Sequence, residues 1–315
     1  MKIIGTGSVL PKKIVTNDML SQFLETSDEW ITTRTGVKSR HVISDERLED
    51  MAIEAARKAL ADAGMKAEEL DYIICSNVVN EYITPQLSCI IQGGIGATCP
   101  CIDINCACAG FIYALEIAES FYRSGRVRNV LIVCAEEPTR MTDWNDRRTC
   151  VLFGDGAGAA VLTEGDNIKG FKMSAASATD KLWQYRVLQP TPYITKEEKD
   201  MPLQMKGQDV FKFAAKASSK DISRLLKENG LNAQDVDYVL LHQANIRIIN
   251  TIRDFLGLED EKFPTNIADH GNSSSACCPI LLDECNRKGM FKKGDKIVIC
   301  AFGAGFVSGA VLLEW

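Results

Sequence analysis

The 315-residue sequence predicts an α/β protein made of two similar halves, each a mixed sheet flanked by helices. Two observations carry the duplication. The run 63–74 (AGMKAEELDYII) matches 229–240 (NGLNAQDVDYVL), a shift of 166 residues, and the same shift places Leu131-Ile132-Val133-Cys134-Ala135 on Ile297-Val298-Ile299-Cys300-Ala301. The closing runs 158–164 (GAAVLTE) and 308–314 (SGAVLLE) match at a shift of 150. The two shifts differ by 16, which puts an insertion in the first half around 136–152. A third observation places the chemistry: the apolar run ending near Cys106 gives way to a helix whose apolar stripe is Phe111, Ala114, Leu115 and Ala118. The halves divide at 1–165 and 166–315.

Taken in order, residues 1–10 read as a strand stopped by a turn at Pro11, and Thr16-Asn17-Asp18 opens a capped helical segment. Trp30 and Arg34 lie four apart and share one helical face. The Trp either covers an edge of the core or stacks a flat ring, with the Arg beside it for phosphate. Residues 46–63 form an amphipathic helix ended by Gly64, and Leu70–Ser76 reads as a buried strand. Cys108 falls at or just before the first turn of the next helix. Free N–H groups and the positive end of the dipole at that point are expected to lower a thiol's pKa and to hold an oxyanion. Ala107, Ala109 and Gly110 leave room for a carbonyl. The alternative is an inert core thiol.

Residues 165–206 are less regular, with Pro190, Pro192, Pro202 and the charged 196–200, and read as a lid or linker. Lys212, Lys216 and Lys220 then form a basic stripe, either a solvated face or a docking surface. Phe302-Gly303-Ala304-Gly305-Phe306 reads as a turn between strands whose glycines let backbone N–H groups face a reacting centre.

Composition narrows the partners. A formal charge of −6 and a pI near 5.3 argue against nucleic acid or anionic membrane as a target. No run approaches a membrane span, and the apolar part of MKIIGTGSVLP is too short for a signal peptide. The twelve cysteines, among them Cys75, Cys89, Cys134 and Cys300 in apolar runs, fit a reduced cytoplasmic protein using Cys as a small hydrophobe. Cys99/Cys101 and Cys106/Cys108 lack C-x-x-C spacing and the three histidines are scattered, so no metal is expected.

At the shift of 166, Cys106 maps to Asn272, Cys108 to Ser274 and Ser76 to His242. Duplication therefore predicts that Cys108, His242 and Asn272 lie at equivalent strand ends near the symmetry axis, where ligand sites are favoured.

Six ordered motifs now resemble the 3-oxoacyl-(acyl carrier protein) synthase III group of the thiolase superfamily. They are Thr26-Ser27-Asp28-Glu29-Trp30-Ile31 with Arg34-Thr35-Gly36, Cys108-Ala109-Gly110-Phe111, the run 153–159 (FGDGAGA), His242-Gln243-Ala244-Asn245, Gly271-Asn272-Ser273-Ser274 and Gly303-Ala304-Gly305-Phe306. The resemblance implies a thiolase-like fold in αβαβα layers and a cytoplasmic homodimer. It implies decarboxylative Claisen condensation: an acyl-CoA primer loads Cys108 and is extended by malonyl-(acyl carrier protein), with no cofactor. By the same resemblance, backbone N–H groups of Cys108 and Ala304 form the oxyanion hole, and His242 and Asn272 stabilise the enolate. Trp30, Arg34 and Arg147 bind coenzyme A, and Arg247 and Lys212 dock the carrier protein. Thr84 stands where relatives often place a Phe that closes the partner's acyl pocket, which implies room for longer or branched primers.

Three departures and rivals remain. Asp254-Phe255 replaces a basic pair of some relatives, leaving Arg253 alone, and with Thr84 this favours a synthase III-like enzyme of a specialised pathway. Ser308 has no assigned purpose. Cys/His/Asn also serves thiol hydrolases, a reading that leaves Trp30 and Arg147 unused. A non-catalytic acyl-CoA-binding protein would not need the full Cys/His/Asn set.

Overall fold

The computed structural model describes residues 1–187, 189, 191–193 and 200–315. The first half runs β1 (Lys2–Val9), β2 (Lys13–Thr16), α1 (Asn17–Leu20), α2 (Asp28–Thr35), β3 (Ser39–Val42), α3 (Leu48–Ala63), β4 (Tyr72–Ser76), α4 (Leu87–Ile95), β5 (Cys101–Ile104), α5 (Gly110–Arg123), β6 (Val130–Glu136) and β7 (Gly156–Thr163). The second runs β8 (Ile168–Ala175), β9 (Leu182–Trp183), β10 (Gln204–Met205), α6 (Gly207–Glu228), β11 (Tyr238–Leu241), α7 (Ile246–Leu256), α8 (Ile267–His270), α9 (Cys277–Arg287), β12 (Lys296–Gly303) and β13 (Val307–Glu314). Local chemistry sets the ends: Ser27 Oγ caps α2 by accepting from Trp30 N–H, and α3 stops at Gly64, whose φ of 62° a side chain would disfavour.

The sheets repeat one another. Strand orders are β1-β7-β6-β4-β5 and β8-β13-β12-β11, with the same parallel and antiparallel pairings. Within these two sheets, among the described residues, β5 lacks a counterpart strand, the equivalent residues forming α8. The expected lid therefore begins later than residue 165. Residues 168–175 repeat β1 as an edge strand, half-exposed and carrying Lys169 and Lys172, which is why they read as irregular. The rest of that segment includes β9 and β10, which pair with each other; Pro190 and the charged run 196–199 lie outside the described residues.

Three apolar clusters define the layers. α3 and α4 cover the outer face of the first sheet around Ala55, Ala59 and Ile73; α5 and α9 fill the space between sheets around Phe111, Leu115, Ile280 and Leu281; α6 and α7 cover the second around Leu225, Ile252 and Val298. This is the αβαβα stack. Gly5 and Gly7 let β1 lie against α3, since a Cβ there would fall 2.4 Å from the carbonyl oxygens of Ala59 and Ala55.

One part of the duplication needs correction. The turns Ala107–Ala109 and Ser274–Ala276 are equivalent, each starting on a left-handed residue, Ala107 at φ 47° and Ser274 at φ 54°. The shift there is 167, so Cys108 corresponds to Ser275 and Asn105 to Asn272. One extra residue enters because the second half reaches the turn through α8 rather than through a strand. Cys89 also departs from expectation, being exposed on α4, whereas Cys75, Cys134 and Cys300 are buried. Among the described residues, no helix is long and apolar enough to cross a membrane.

Candidate active site

A cavity of about 620 Å³ opens between the halves, lined by Cys108, His242, Asn272, Phe302 and Ala304 at its polar end and by Trp183, Met205 and Phe211 among its apolar walls. The cavity thus unites residues some 160 positions apart in sequence, as expected of strand ends meeting at a pseudo-dyad.

Cys108 sits on the short turn leading into α5. α5 approaches β4 because residue 110 is glycine: a Cβ there would lie 1.8 Å from Ser76 Oγ. The thiol donates to Ser274 Oγ at 3.6 Å. Its acidity reverses the sequence expectation. Burial pushes the thiol up to about 12, and the Ser274 hydrogen bond pulls only partly against it. At neutral pH Cys108 therefore rests as a thiol, which can act as a nucleophile only by giving up its proton.

His242 follows β11 and is 2% exposed, with its ring edge-on to Phe302 at 5.1 Å. Burial lowers its pKa to about 3, so the imidazole is neutral throughout the working range. Its Nδ1 has no hydrogen-bond partner among the described residues. Asn272 Oδ1 accepts from Ser274 N–H at 2.9 Å, while its backbone bonds Leu152 and Gly154. With the amide oxygen committed inward, the NH₂ is what Asn272 can offer a ligand. Two neutral donors beside a thiol suit an anion that forms and vanishes during reaction.

Ala304 follows β12, and Gly303 brings that strand against the thiol turn: a Cβ at 303 would meet Cys108 N at 2.7 Å and Ala107 Cβ at 2.9 Å. Gly303→Ala is expected to push the two backbones apart and to slow covalent labelling of the Cys108 thiol about 10²-fold, the cost of misplacing a reacting group by roughly 1 Å. Single-turnover labelling of Cys108, compared with thermal melting, checks this.

Other expected residues are placed as follows. Arg34 and Arg147 both stack on Trp30, at 4.6 and 4.9 Å from the ring centroid, and Arg147 also donates to Glu25 O. A flat ring entering between Trp30 and Arg147 requires that guanidinium to swing away. Asn245, on the cavity wall, donates to Arg34 O at 3.0 Å and so links this cluster to the cavity mouth. Lys212, Lys216 and Lys220 are exposed on α6, and exposed Arg247 lies 5.9 Å from the Phe211 ring centroid, beside the same mouth. Arg253 is not available to a partner, because Asp254 (2.8 Å) and Asp260 already bind it. Thr84 is exposed and lines no part of this chain's cavity. Ser308 gains an explanation: buried, it donates to Asp221 and lies 3.1 Å from Ser174 Oγ.

Sequence reasoning missed two polar groups behind the thiol, Ser274 as its hydrogen-bond partner and Glu136 beneath Ser274. The available signal was a carboxylate closing the otherwise apolar run Val130–Ala135, where a charge has no ordinary structural reason to be.

Comparison with known proteins agrees with the geometry. Residues 102–180 match the family described as 3-oxoacyl-[acyl-carrier-protein (ACP)] synthase III, and residues 226–315 match its C-terminal region. The beta-ketoacyl-[acyl-carrier-protein] synthase III of Clostridium acetobutylicum is 42% identical over 322 residues, spanning 100% of this chain and 98% of the relative. The crystal structure of 3-oxoacyl-[acyl-carrier-protein] synthase III from Aquifex aeolicus VF5 is similar at a TM-score of 0.92 and 40% identity, covering 100% of this chain and 99% of that one. The priming beta-ketosynthase of the R1128 polyketide pathway is similar at 0.90 and 33%, covering 99% and 95%.

Proposed function

Because the chain belongs to the 3-oxoacyl-(acyl carrier protein) synthase III family of thiolase-fold condensing enzymes, we propose that it joins an acyl-CoA primer to malonyl-(acyl carrier protein) and so begins fatty acid synthesis. The observation that supports this most is the meeting of Cys108, His242, Asn272 and Ala304 in one cavity. Cys108 attacks the primer thioester, and N–H groups of Cys108 and Ala304 hold the oxyanion until coenzyme A leaves. The malonyl thioester then loses carbon dioxide. His242 and Asn272 donate to the enolate oxygen, its carbon attacks acyl-Cys108, and the C–S bond to Cys108 breaks. No cofactor takes part, since acyl-CoA is a substrate. Trp30, Arg34 and Arg147 receive the nucleotide end, while Lys212 and Arg247 meet the acidic carrier. The halves 1–165 and 166–315 supply the nucleophile and the enolate donors respectively.

The reading includes a cytoplasmic homodimer. β5 is an edge strand, and Val79, Tyr82 and Ile83 are exposed in the loop that carries Thr84. Through that contact Thr84 borders the partner's acyl pocket, so Thr84→Phe is expected to narrow the range of primers accepted. Acylation rates across straight and branched acyl-CoAs measure it, and an unchanged range removes this loop from the pocket.

A second reading, a condensing enzyme of a specialised pathway, is favoured by the capture of Arg253 by Asp254 and Asp260, which weakens the basic surface offered to a carrier. One experiment separates the two. Intact-protein mass is followed after adding a panel of acyl-CoAs and then malonyl-(acyl carrier protein). Loading followed by release as a 3-oxoacyl product supports the first reading; loading without release points to another acceptor.

A further inference from the structure

Behind the half-buried Cys108 thiol a chain of hydrogen bonds crosses from one half to the other, buried from Ser274 onward. Cys108 Sγ donates to Ser274 Oγ at 3.6 Å, and Ser274 Oγ donates to Glu136 Oε1 at 3.2 Å. Ser275 Oγ donates to the same oxygen at 2.6 Å and Val78 N–H to Oε2 at 3.1 Å, while Ser76 Oγ donates to Ser275 Oγ at 3.0 Å. Glu136 is 1% exposed. Among the described residues, the titratable groups that feel its charge include the thiols of Cys75 from β4, Cys134 from its own strand, Cys108 from the thiol turn and Cys277 from α9. Among the described residues no cation pairs with it, and neighbouring Glu137 is occupied by Arg140 at 3.1 Å.

A buried carboxylate without a cation is costly. Accepting from two serine hydroxyls on Oε1 and from Val78 N–H on Oε2 uses both carboxyl oxygens, but a protonated carboxyl would meet the serines as well, so these contacts alone do not require the charge. The direction of the bonds, thiol to hydroxyl to carboxylate, is that of a path for a proton leaving Cys108. His242 is unsuited to that task, since its ring resists protonation down to about pH 3. Burial instead lifts the Glu136 carboxyl to about 7, which lets it take up and return a proton near neutral pH.

We propose that Ser274 and Glu136 form the proton relay that deprotonates Cys108, a role that rests on the acyl transfer to Cys108 proposed above. As Sγ attacks the thioester carbon, its S–H bond breaks and the electron pair forms the S–C bond. The proton passes to Ser274 Oγ, whose own proton passes to Glu136. When the tetrahedral intermediate collapses, the C–S bond to coenzyme A breaks and the proton returns through Ser274 to the leaving thiolate. The net change is acyl-CoA plus Cys108 thiol giving acyl-Cys108 plus coenzyme A thiol, with Glu136 again ionised. Glu136 touches no substrate and is a positioning residue acting through Ser274.

The test is to follow alkylation of Cys108 by iodoacetamide and its acylation by acetyl-CoA, by intact mass, as functions of pH in the full-length protein and in E136Q, E136D, S274A and E136Q/S274A. Both rates in the parent are expected to rise through about pH 7 as the carboxylate ionises. E136Q is expected to lose that inflection and to slow acylation about 10²-fold at neutral pH, the lower range for loss of a general base. S274A shows the same loss, the double variant is no slower than either, and E136D restores an inflection. The relay is overturned if E136Q keeps the parent's rate and inflection, if it slows equally at every pH with the inflection intact, or if the two losses multiply in the double variant. Should E136Q fail to fold, S274A carries the comparison, since it breaks the path and leaves the carboxylate in place. A parent protein that alkylates with the inflection but takes no acyl group from acetyl-CoA or longer acyl-CoAs removes the acyl-transfer reading and keeps the proton path.

Discussion

Cys108→Ser is expected to accept no acyl group from any acyl-CoA, with overall turnover falling on the order of 10⁶-fold, as when a covalent nucleophile is removed. A serine at 108 fits the same space and keeps a hydrogen bond to Ser274 within reach, so the fold and the cavity are preserved. What it loses is the soft sulfur, whose thioester is no more stable than the donor's and can therefore be passed on. A hydroxyl is harder still to deprotonate than a thiol held near pH 12. Intact mass after incubation with acyl-CoA reads the adduct directly, and a melting temperature within a few degrees of the parent shows that folding is unaffected. Cys106 is the internal control. It also lines the cavity and is partly exposed, so an adduct persisting in the Cys108→Ser protein would move the nucleophile there.

Asn272→Ala is expected to separate the two half-reactions. On the proposed mechanism loading of Cys108 uses backbone N–H groups, so it should continue near the parental rate. Condensation should fall about 10²–10³-fold, the usual effect of deleting one donor to a developing oxyanion. The asymmetry follows from geometry: Asn272 reaches the cavity with its NH₂ free, while its oxygen bonds the backbone of Ser274. Measuring acyl-Cys108 formation by mass and product formation from malonyl-(acyl carrier protein) in the same preparation decides the matter. Equal loss in both steps would mean that the substitution disturbs the thiol turn through Ser274 instead of removing an enolate donor. On the same proposal His242, kept neutral by burial, is the second donor, and its contribution should not vary between about pH 5 and pH 8.

The layered fold was legible in the chain because the information is local and repeated. Hydrophobic period, cap residues and the shift of 166 depend on near neighbours, and they survive in any α/β protein whose halves fold alike. The same repetition predicts that Cys108, His242 and Asn272 lie at neighbouring strand ends, and all three line one cavity. It erred by one residue at the thiol turn, where a helix in one half replaces a strand in the other, and it read the edge strand β8 as a lid because half-exposed edges carry lysines.

The environment of the thiol is different in kind. From the sequence, a helix start should make Cys108 acidic; in the folded protein, burial makes it the reverse. Desolvation depends on every atom within several ångströms, and those atoms come from both halves. Ser274 and Glu136 stand 166 and 28 positions from Cys108; the repeat of 166 pairs Cys108 with Ser274 without predicting contact between them, and the spacing of 28 carries no signal. Short-range periodicity and duplication establish which groups exist and which strand ends hold them. How dry the site is, which hydroxyl touches the thiol and which carboxylate lies behind it emerge with packing, because electrostatics in a packed interior follow distance and not chain order.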